Sequence, residues 1–376
     1  MAAEKGDPVK ILFVTNARLC SGAEEHLIDL AHWLVAAGVD LSFAVRQQSV
    51  FAARLEHEKL PYTACFAEKG GAIASIRRLI AVITREQPDI ISVNREHNIY
   101  PAWIAALCAR PFMRYRPKLV MVFHTPTGRK YPILSRFDGI LATSRFTAAA
   151  FVRANPHLQE KMTVIHYGTQ LPPAPGPDKM DPDRQRNLLR QHGFPLIGMV
   201  GELWKNQEEL IPITRHLVGT FPGLTVAIVG GEGEASFSLL RAQIVEAGLE
   251  RHFLLVPRVP RSRIPDLFYD LDLSVSTHRN EGFGIVHIES LAAGTPVVAY
   301  HAGGLVEILE RGGSVLVTGG VAEFSQTVAS LLGDHVERQR LAREGREVVE
   351  AGFSLEVMGK RHLAYYHAIS AGENHA

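Results

Sequence analysis

Glu281 and Glu289 stand eight positions apart in the stretch Glu281-Gly282-Phe283-Gly284-Ile285-Val286-His287-Ile288-Glu289, the first on a glycine-rich loop. Apolar residues at Ile285, Ile288, Leu291 and Ala292 recur at helical spacing, and Gly294 with Pro296 ends the run, so the second carboxylate lies on a helix. Gly282 and Gly284 leave the backbone around Phe283 open to a close ligand. The helix start at Ile285 and Val286 offers unpaired N–H groups, and such a terminus attracts phosphate. Glu289, about one turn inside, can bond neutral hydroxyls such as those of a ribose; Glu281 lies where a second polar ring would sit. Hydroxyls near both carboxylates, with phosphate between them, describe a nucleotide-sugar. A capped helix with a solvated Glu289 is the simpler reading of these nine residues alone. The continuation through Pro296 and then Ala302-Gly303-Gly304-Leu305-Val306-Glu307 narrows the choice.

The elements that must hold this stretch alternate between strand and helix. Val9–Asn16 reads as a buried first strand, Ser21-Gly22 as a turn, and Glu24 opens an amphipathic helix through Leu34 that Gly38 terminates. Leu41–Val45 is the next strand, which makes a βαβ unit and a parallel sheet. Ligands of such sheets lie beyond the carboxyl ends of the strands, so Gly22 is a candidate to face one; a tight turn without a ligand is equally compatible. Asp89–Val93, Leu119–His124, Ile140–Thr143 and Met162–Ile165 continue the pattern. His124 closes its strand at the carboxyl end, although a lone histidine there is more often structural. Residues 171–182 hold many prolines and few apolar anchors and read as a linker. Leu196–Val200, Leu224–Val229, Phe253–Val256 and Leu271–Val275 then begin a second alternating run. Gly231-x-Gly233 invites a dinucleotide reading but fails it, because Ser236 stands at the third glycine position.

With 376 residues, 46% of them hydrophobic, the chain is long enough for two α/β domains, each with its own core. No apolar run is long enough for a transmembrane helix, and the N-terminus lacks the basic-then-apolar pattern of a signal peptide, so a cytoplasmic location is expected. Cys20, Cys65 and Cys108 are odd in number and widely spaced, which reads as reduced thiols without metal-ligand spacing. The formal charge of +1 conceals an asymmetry: residues 1–175 carry 21 Lys+Arg against 14 Asp+Glu, and the remainder 19 against 25. A basic first half suggests an anionic partner, with ordinary drift in surface charge as the alternative. Arg110-Pro-Phe-Met-Arg114-Tyr-Arg116-Pro-Lys118, with Arg77 and Arg78, suits a solvated loop better than a membrane helix; contact with anionic headgroups is the second reading. Nothing resembles a nucleic-acid-binding motif.

The run from Glu281 to Pro296 resembles the E-x7-E signature of retaining GT-B glycosyltransferases of family 4. That resemblance covers essentially the whole chain and implies two Rossmann-like doubly wound α/β domains facing across a cleft. It places an acceptor-side domain at 1–172, a linker at 173–187, a nucleotide-sugar domain at 188–352 and, at 353–376, a helix crossing back to the first domain. Family members show a Gly-Arg-Leu turn and then a lysine on the donor diphosphate. Here Lys205 matches the lysine and Glu202 occupies the arginine slot, which leaves open whether Arg258 or Arg279 compensates. The resemblance assigns Glu281, Lys205 and His124 to catalysis, and Gly22, Gly282, Phe283, Gly284, Ile285, Val286 and Glu289 to the donor. Ser144 and the Tyr167-Gly168-Thr169 turn also match family positions, with Tyr167 in an asparagine slot.

The implied activity is transfer of a sugar from a UDP-, GDP- or ADP-sugar to a hydroxyl of a glycan, lipid-linked or cell-envelope polysaccharide acceptor. No cofactor is expected and metal-independence is, because no Asp-x-Asp cluster is suitably placed. The cytoplasmic face of a membrane is where peripheral contact would occur. Two alternatives are a GT-B sugar-nucleotide epimerase and a non-catalytic nucleotide-sugar-binding subunit, the latter motivated by Glu202. A glycan phosphorylase shares the architecture, but this chain is far shorter.

Overall fold

A computed structural model of the protein describes residues 9–67, 71–173, 189, 194–231 and 233–372. The chain divides into two compact units, residues 1–167 with 355–376, and residues 168–354. All but the first residue of the expected linker 173–187 lies outside the described residues.

The first unit contains β1 (Lys10–Val14), β2 (Asp40–Arg46), β3 (Tyr62–Phe66), β4 (Ile90–Val93), β5 (Lys118–Phe123), β6 (Gly139–Ala142) and β7 (Met162–Val164). They pair in parallel in the order β3-β2-β1-β4-β5-β6-β7. Ile11 to Val14 and all of β4 and β6 are buried, as strands covered by helices on both faces must be. Phe13 stacks on Phe43 at 5.2 Å between centroids and Phe43 meets Phe51 edge-on at 6.0 Å, each ring contributing roughly 1.5–3 kcal/mol by its burial. The closing helix Leu355–Ala371 belongs to this unit and packs on helix Gly22–Ala36, where the Trp33 indole N–H donates to Glu356 at 2.7 Å.

The second unit contains β8 (Leu196–Val200), β9 (Thr225–Val229), β10 (Phe253–Val256), β11 (Leu273–Ser276), β12 (Val297–Tyr300) and β13 (Ser314–Val317), in parallel order β10-β9-β8-β11-β12-β13. Each sheet therefore grows outward from its first strand in one direction and then resumes on that strand's other side. The reversal falls between β1 and β4 in the first unit and between β8 and β11 in the second. At such a switch point the crossing connections leave on opposite faces, and a crevice opens beyond the carboxyl ends.

Two details differ from the sequence reading. The first helix begins at Gly22 rather than Glu24, because Ser21 and Glu24 close a reciprocal capping box around its first turn. Strands β3, β12 and β13 were not among the expected strands. β3 and β13 are sheet edges and only partly buried, so neither carries the continuous apolar run of a central strand. β12 is buried throughout but only four residues long, directly after the helix stop at Gly294 and Pro296.

Candidate functional site

In the second unit the loops after β8 and β11 meet at the switch point. Val200 leads through Gly201 into Glu202–Asn206, where Asn206 adopts a left-handed φ of 61° before helix Leu210–Leu217. Gln207, 1% exposed, fixes the loop: its amide donates to the Glu202 carbonyl at 2.6 Å and its side-chain oxygen accepts the Lys205 N–H at 2.9 Å. The Thr277 hydroxyl, just past β11, donates to the Asn206 carbonyl at 2.7 Å and ties the two loops together. The Lys205 ammonium thereby reaches a Glu281 carboxylate oxygen at 2.5 Å, with both side chains only 15% exposed. Burial pushes the Glu281 carboxyl up, but the charge and hydrogen bond of Lys205 outweigh it and hold the group below its ordinary value. Glu281 is ionised at neutral pH.

The backbone beneath Glu281 is equally constrained. Its carbonyl accepts the Gly304 N–H at 2.7 Å, and a Cβ on Gly303, at φ 72°, would fall 2.8 Å from that carbonyl oxygen and 2.9 Å from the Glu281 nitrogen. Gly284, at φ 95°, is the N-cap of helix Ile285–Ala292, and no side chain caps it. The N-terminal turn at Ile285 and Val286 is thus an anion-attracting end positioned in the same loop as Glu281. Phe283 is 2% exposed with its ring 6.0 Å from that of Phe353, so its side chain anchors the loop. Glu289, inside the helix, accepts from Arg261 Nη1 at 2.8 Å.

The two arginines considered as substitutes for the family arginine differ. Arg258 pairs with Glu202 directly, while Arg279 donates to Glu209 at 2.6 and 2.8 Å and lies 3.7 Å over the Tyr300 ring. The carboxylate in the arginine slot is therefore neutralised at the rim, in an exposed pair worth at most about 1 kcal/mol.

His124 and Gly22 belong to the first unit. His124 follows β5, and its Nδ1 is hydrogen-bonded with the Tyr167 hydroxyl at 2.5 Å. Burial pushes the imidazole down to about 4, so it is neutral at physiological pH. His26 meets the Tyr167 ring edge-on at 4.1 Å, and a cavity of only about 20 Å³ lies among these rings and His362. Gly22 is the first residue of its helix, next to Ser21, whose N–H and hydroxyl donate to Glu24 at 3.1 and 2.5 Å. Arg95, just past β4, donates to the same carboxylate at 2.6 and 3.0 Å. This Glu24–Arg95 pair at the first unit's switch point, its carboxylate buried and its guanidinium exposed, was not anticipated; the spacing Ser21-x-x-Glu24 was its visible trace. Ser144 caps helix Arg145–Ala154, accepting from the Thr147 N–H at 2.9 Å. Among the described residues no group of three His, Cys, Asp or Glu is arranged to hold a metal, and no helix is long and apolar enough to cross a membrane.

Two Rossmann-like units, the second presenting a lysine–carboxylate pair and an uncapped helix start at its switch point, are the parts of a GT-B protein. The sequence matches Glycosyl transferases group 1 over residues 181–348 and Glycosyltransferase Family 4 over residues 20–171. A 2-deoxystreptamine glucosyltransferase of Streptomyces kanamyceticus is 29% identical over 213 residues, 52% of this chain and 54% of that protein. A D-inositol 3-phosphate glycosyltransferase of Nocardia farcinica is 30% identical over 269 residues, 64% of this chain and 59% of that protein. The chain thus matches a little over half the length of these relatives. Among solved structures, Anabaena HepE, in complex with UDP and glucose, superposes with a TM-score of 0.80 at 22% identity, over 96% of this chain and 100% of that one. The chain belongs to the group 1, family 4 glycosyltransferases.

Proposed function

We propose that the protein is a retaining glycosyltransferase that takes its sugar from a nucleoside-diphosphate donor bound in the second unit. The observation that carries this reading is the Lys205–Glu281 pair beside the uncapped start of helix Ile285–Ala292. Breaking the anomeric bond develops negative charge on the diphosphate. Lys205 and the helix N-terminus are the groups suited to meet it. Glu281 orients sugar hydroxyls, Glu289 bonds the ribose, and backbone N–H groups at Gly282, Phe283 and Gly284 serve the sugar or phosphate. The acceptor hydroxyl attacks C1 on the face the diphosphate leaves; the new C–O bond replaces the C1–phosphate bond, and the hydroxyl proton goes to the phosphate oxygen. His124 assists from the first unit as a neutral hydrogen-bonding group. UDP heads the donor series because HepE was solved with it, with GDP and ADP as alternatives; metal-independence is part of the proposal.

The acceptor is a hydroxyl of a glycan, lipid-linked or cell-envelope polysaccharide. Two relatives named for 2-deoxystreptamine and inositol phosphate favour a second reading, a small cyclitol acceptor. Proton NMR of a reaction with donor and acceptor tests the chemistry: the product should keep the donor's anomeric configuration, and nucleotide should appear only with acceptor. An inverted product contradicts the retaining assignment. Donor converted without acceptor supports the epimerase. The scaffold alternative, motivated by Glu202 in the arginine slot, is supported by nucleotide binding with neither transfer nor donor hydrolysis.

Peripheral membrane contact is proposed for the segment around Arg110–Lys118, on the cytoplasmic face. Leu107, Phe112 and Tyr115 are 51%, 66% and 73% exposed, interleaved with Arg110, Arg114 and Arg116. Aromatic and cationic side chains so mixed suit an anionic bilayer surface. Co-sedimentation with vesicles containing anionic lipid should fall severalfold in the Arg110/Arg114/Arg116 triple alanine variant; equal sedimentation of both proteins counts against the contact.

A further inference from the structure

Two histidines beside the donor loop have no task in this mechanism. His278, two residues past β11, is 7% exposed, and His287, in the first turn of helix Ile285–Ala292, is 2% exposed. Among the described residues, neither ring nitrogen of His287 nor Nε2 of His278 has a hydrogen-bond partner. His278 Nδ1 lies 3.5 Å from the Asn206 side-chain oxygen, at the limit of a bond. Buried polar atoms in this state are few in native folds and costly, so their retention calls for a cause.

Both rings surround the Lys205–Glu281 pair. A Cβ on Gly284 would fall 2.5 Å from the His287 ring and 3.3 Å from Glu281 Cγ, so imidazole and carboxylate arm converge on one glycine. The charged and titratable groups facing His287 are Glu281 and His278 from the loop before its own helix, and Lys205 from the loop after β8. A donor diphosphate competes with Glu281 for the Lys205 ammonium. If Lys205 leaves, a carboxylate 15% exposed loses its cation, and an uncompensated buried charge is strongly destabilising.

We propose that His287, with His278 beside it, is a positioning residue that holds Glu281 in place when the donor diphosphate draws Lys205 away. This rests on the donor reading above. The ammonium moves to the phosphate, the imidazole takes a proton from solvent, and its N–H bonds the carboxylate that Lys205 has released. Burial first, and then the Lys205 and His278 charges, hold the free protein's His287 down at about 4 despite the opposing pull of Glu281. Losing the Lys205 cation while keeping Glu281 moves the group upward, so nucleotide binding takes up a proton and strengthens as pH falls from 8 toward 6.

The test is calorimetric titration of the full-length protein with UDP, GDP and ADP in turn, at pH 6.5 in two buffers of different protonation enthalpy. Wild type should take up more protons per nucleotide than H287L, a difference in which the nucleotide's own titration cancels. H287N, which keeps a donor but cannot titrate there, should bind within about threefold of wild type with the lower proton count, and H287L about tenfold more weakly. Melting curves check that both variants fold, and H287N carries the comparison if H287L does not. Equal proton counts in wild type and H287N overturn the proposal while leaving the donor reading intact. Absence of nucleotide binding by the wild type overturns both.

Discussion

Replacing Lys205 with alanine should slow sugar transfer about 10²–10³-fold at saturating donor, while donor affinity falls by a smaller factor. The asymmetry follows from when the charge appears. A ground-state donor already carries a charged diphosphate, but scission of the anomeric bond adds negative charge to its leaving oxygen. In the proposed reaction Lys205 meets that addition together with the fixed N-terminus of helix Ile285–Ala292. The same substitution strips Glu281 of the cation that keeps its carboxyl below the ordinary range, so Glu281 becomes easier to protonate. The pH profile of the variant should consequently shift its acidic limb upward. Steady-state kinetics with kcat and KM resolved separately checks this; a rise in KM with kcat unchanged would mean that Lys205 binds ground and transition states alike.

Substituting Gly303 with alanine should cost at least about tenfold in activity and destabilise the second unit by roughly 1–3 kcal/mol. Nothing about Gly303 is catalytic. Its φ of 72° disfavours any side chain, and the added Cβ would press on the backbone oxygen and nitrogen of Glu281 at 2.8 and 2.9 Å. Relief requires moving the segment that aims the carboxylate, and misplacement by an ångström is costly in a positioned site. Kinetics and calorimetric unfolding of the variant test this together. A stable, fully active Gly303→Ala protein would show that the loop tolerates a shift of Glu281.

The sequence disclosed some parts of this arrangement and concealed others, for reasons visible in particular residues. The helix start at Ile285 was legible because apolar spacing, Gly284 and the stop at Gly294 are local signals. The parallel sheets followed from strand–turn–helix alternation, which depends only on neighbours in the chain. Edge strands such as Ser314–Val317 escaped because partial burial removes the continuous apolar run. Meetings between distant segments were harder. The Lys205–Glu281 contact spans 76 positions and exists only because β8 and β11 become neighbours at the switch point. Nothing near Glu202 announced that Arg258 would neutralise it, since that pairing requires the loops after β8 and β10 to converge. The GT-B family resemblance supplied roles for single residues, but it said nothing of His278 and His287, whose unpaired nitrogens became visible only with side chains in place.

The central claim, a nucleotide-sugar donor held in the second unit, is tested most directly by a thermal-shift panel. UDP, GDP, ADP and CMP, then their sugar conjugates, are added to wild type and Glu289→Ala, with and without magnesium. A ligand at about 100 times its dissociation constant adds roughly 2.7 kcal/mol of stability. The expected result is one base standing out in wild type without magnesium, with its shift lost in Glu289→Ala. No shift across the whole panel, or the same shift in both proteins, would contradict the site.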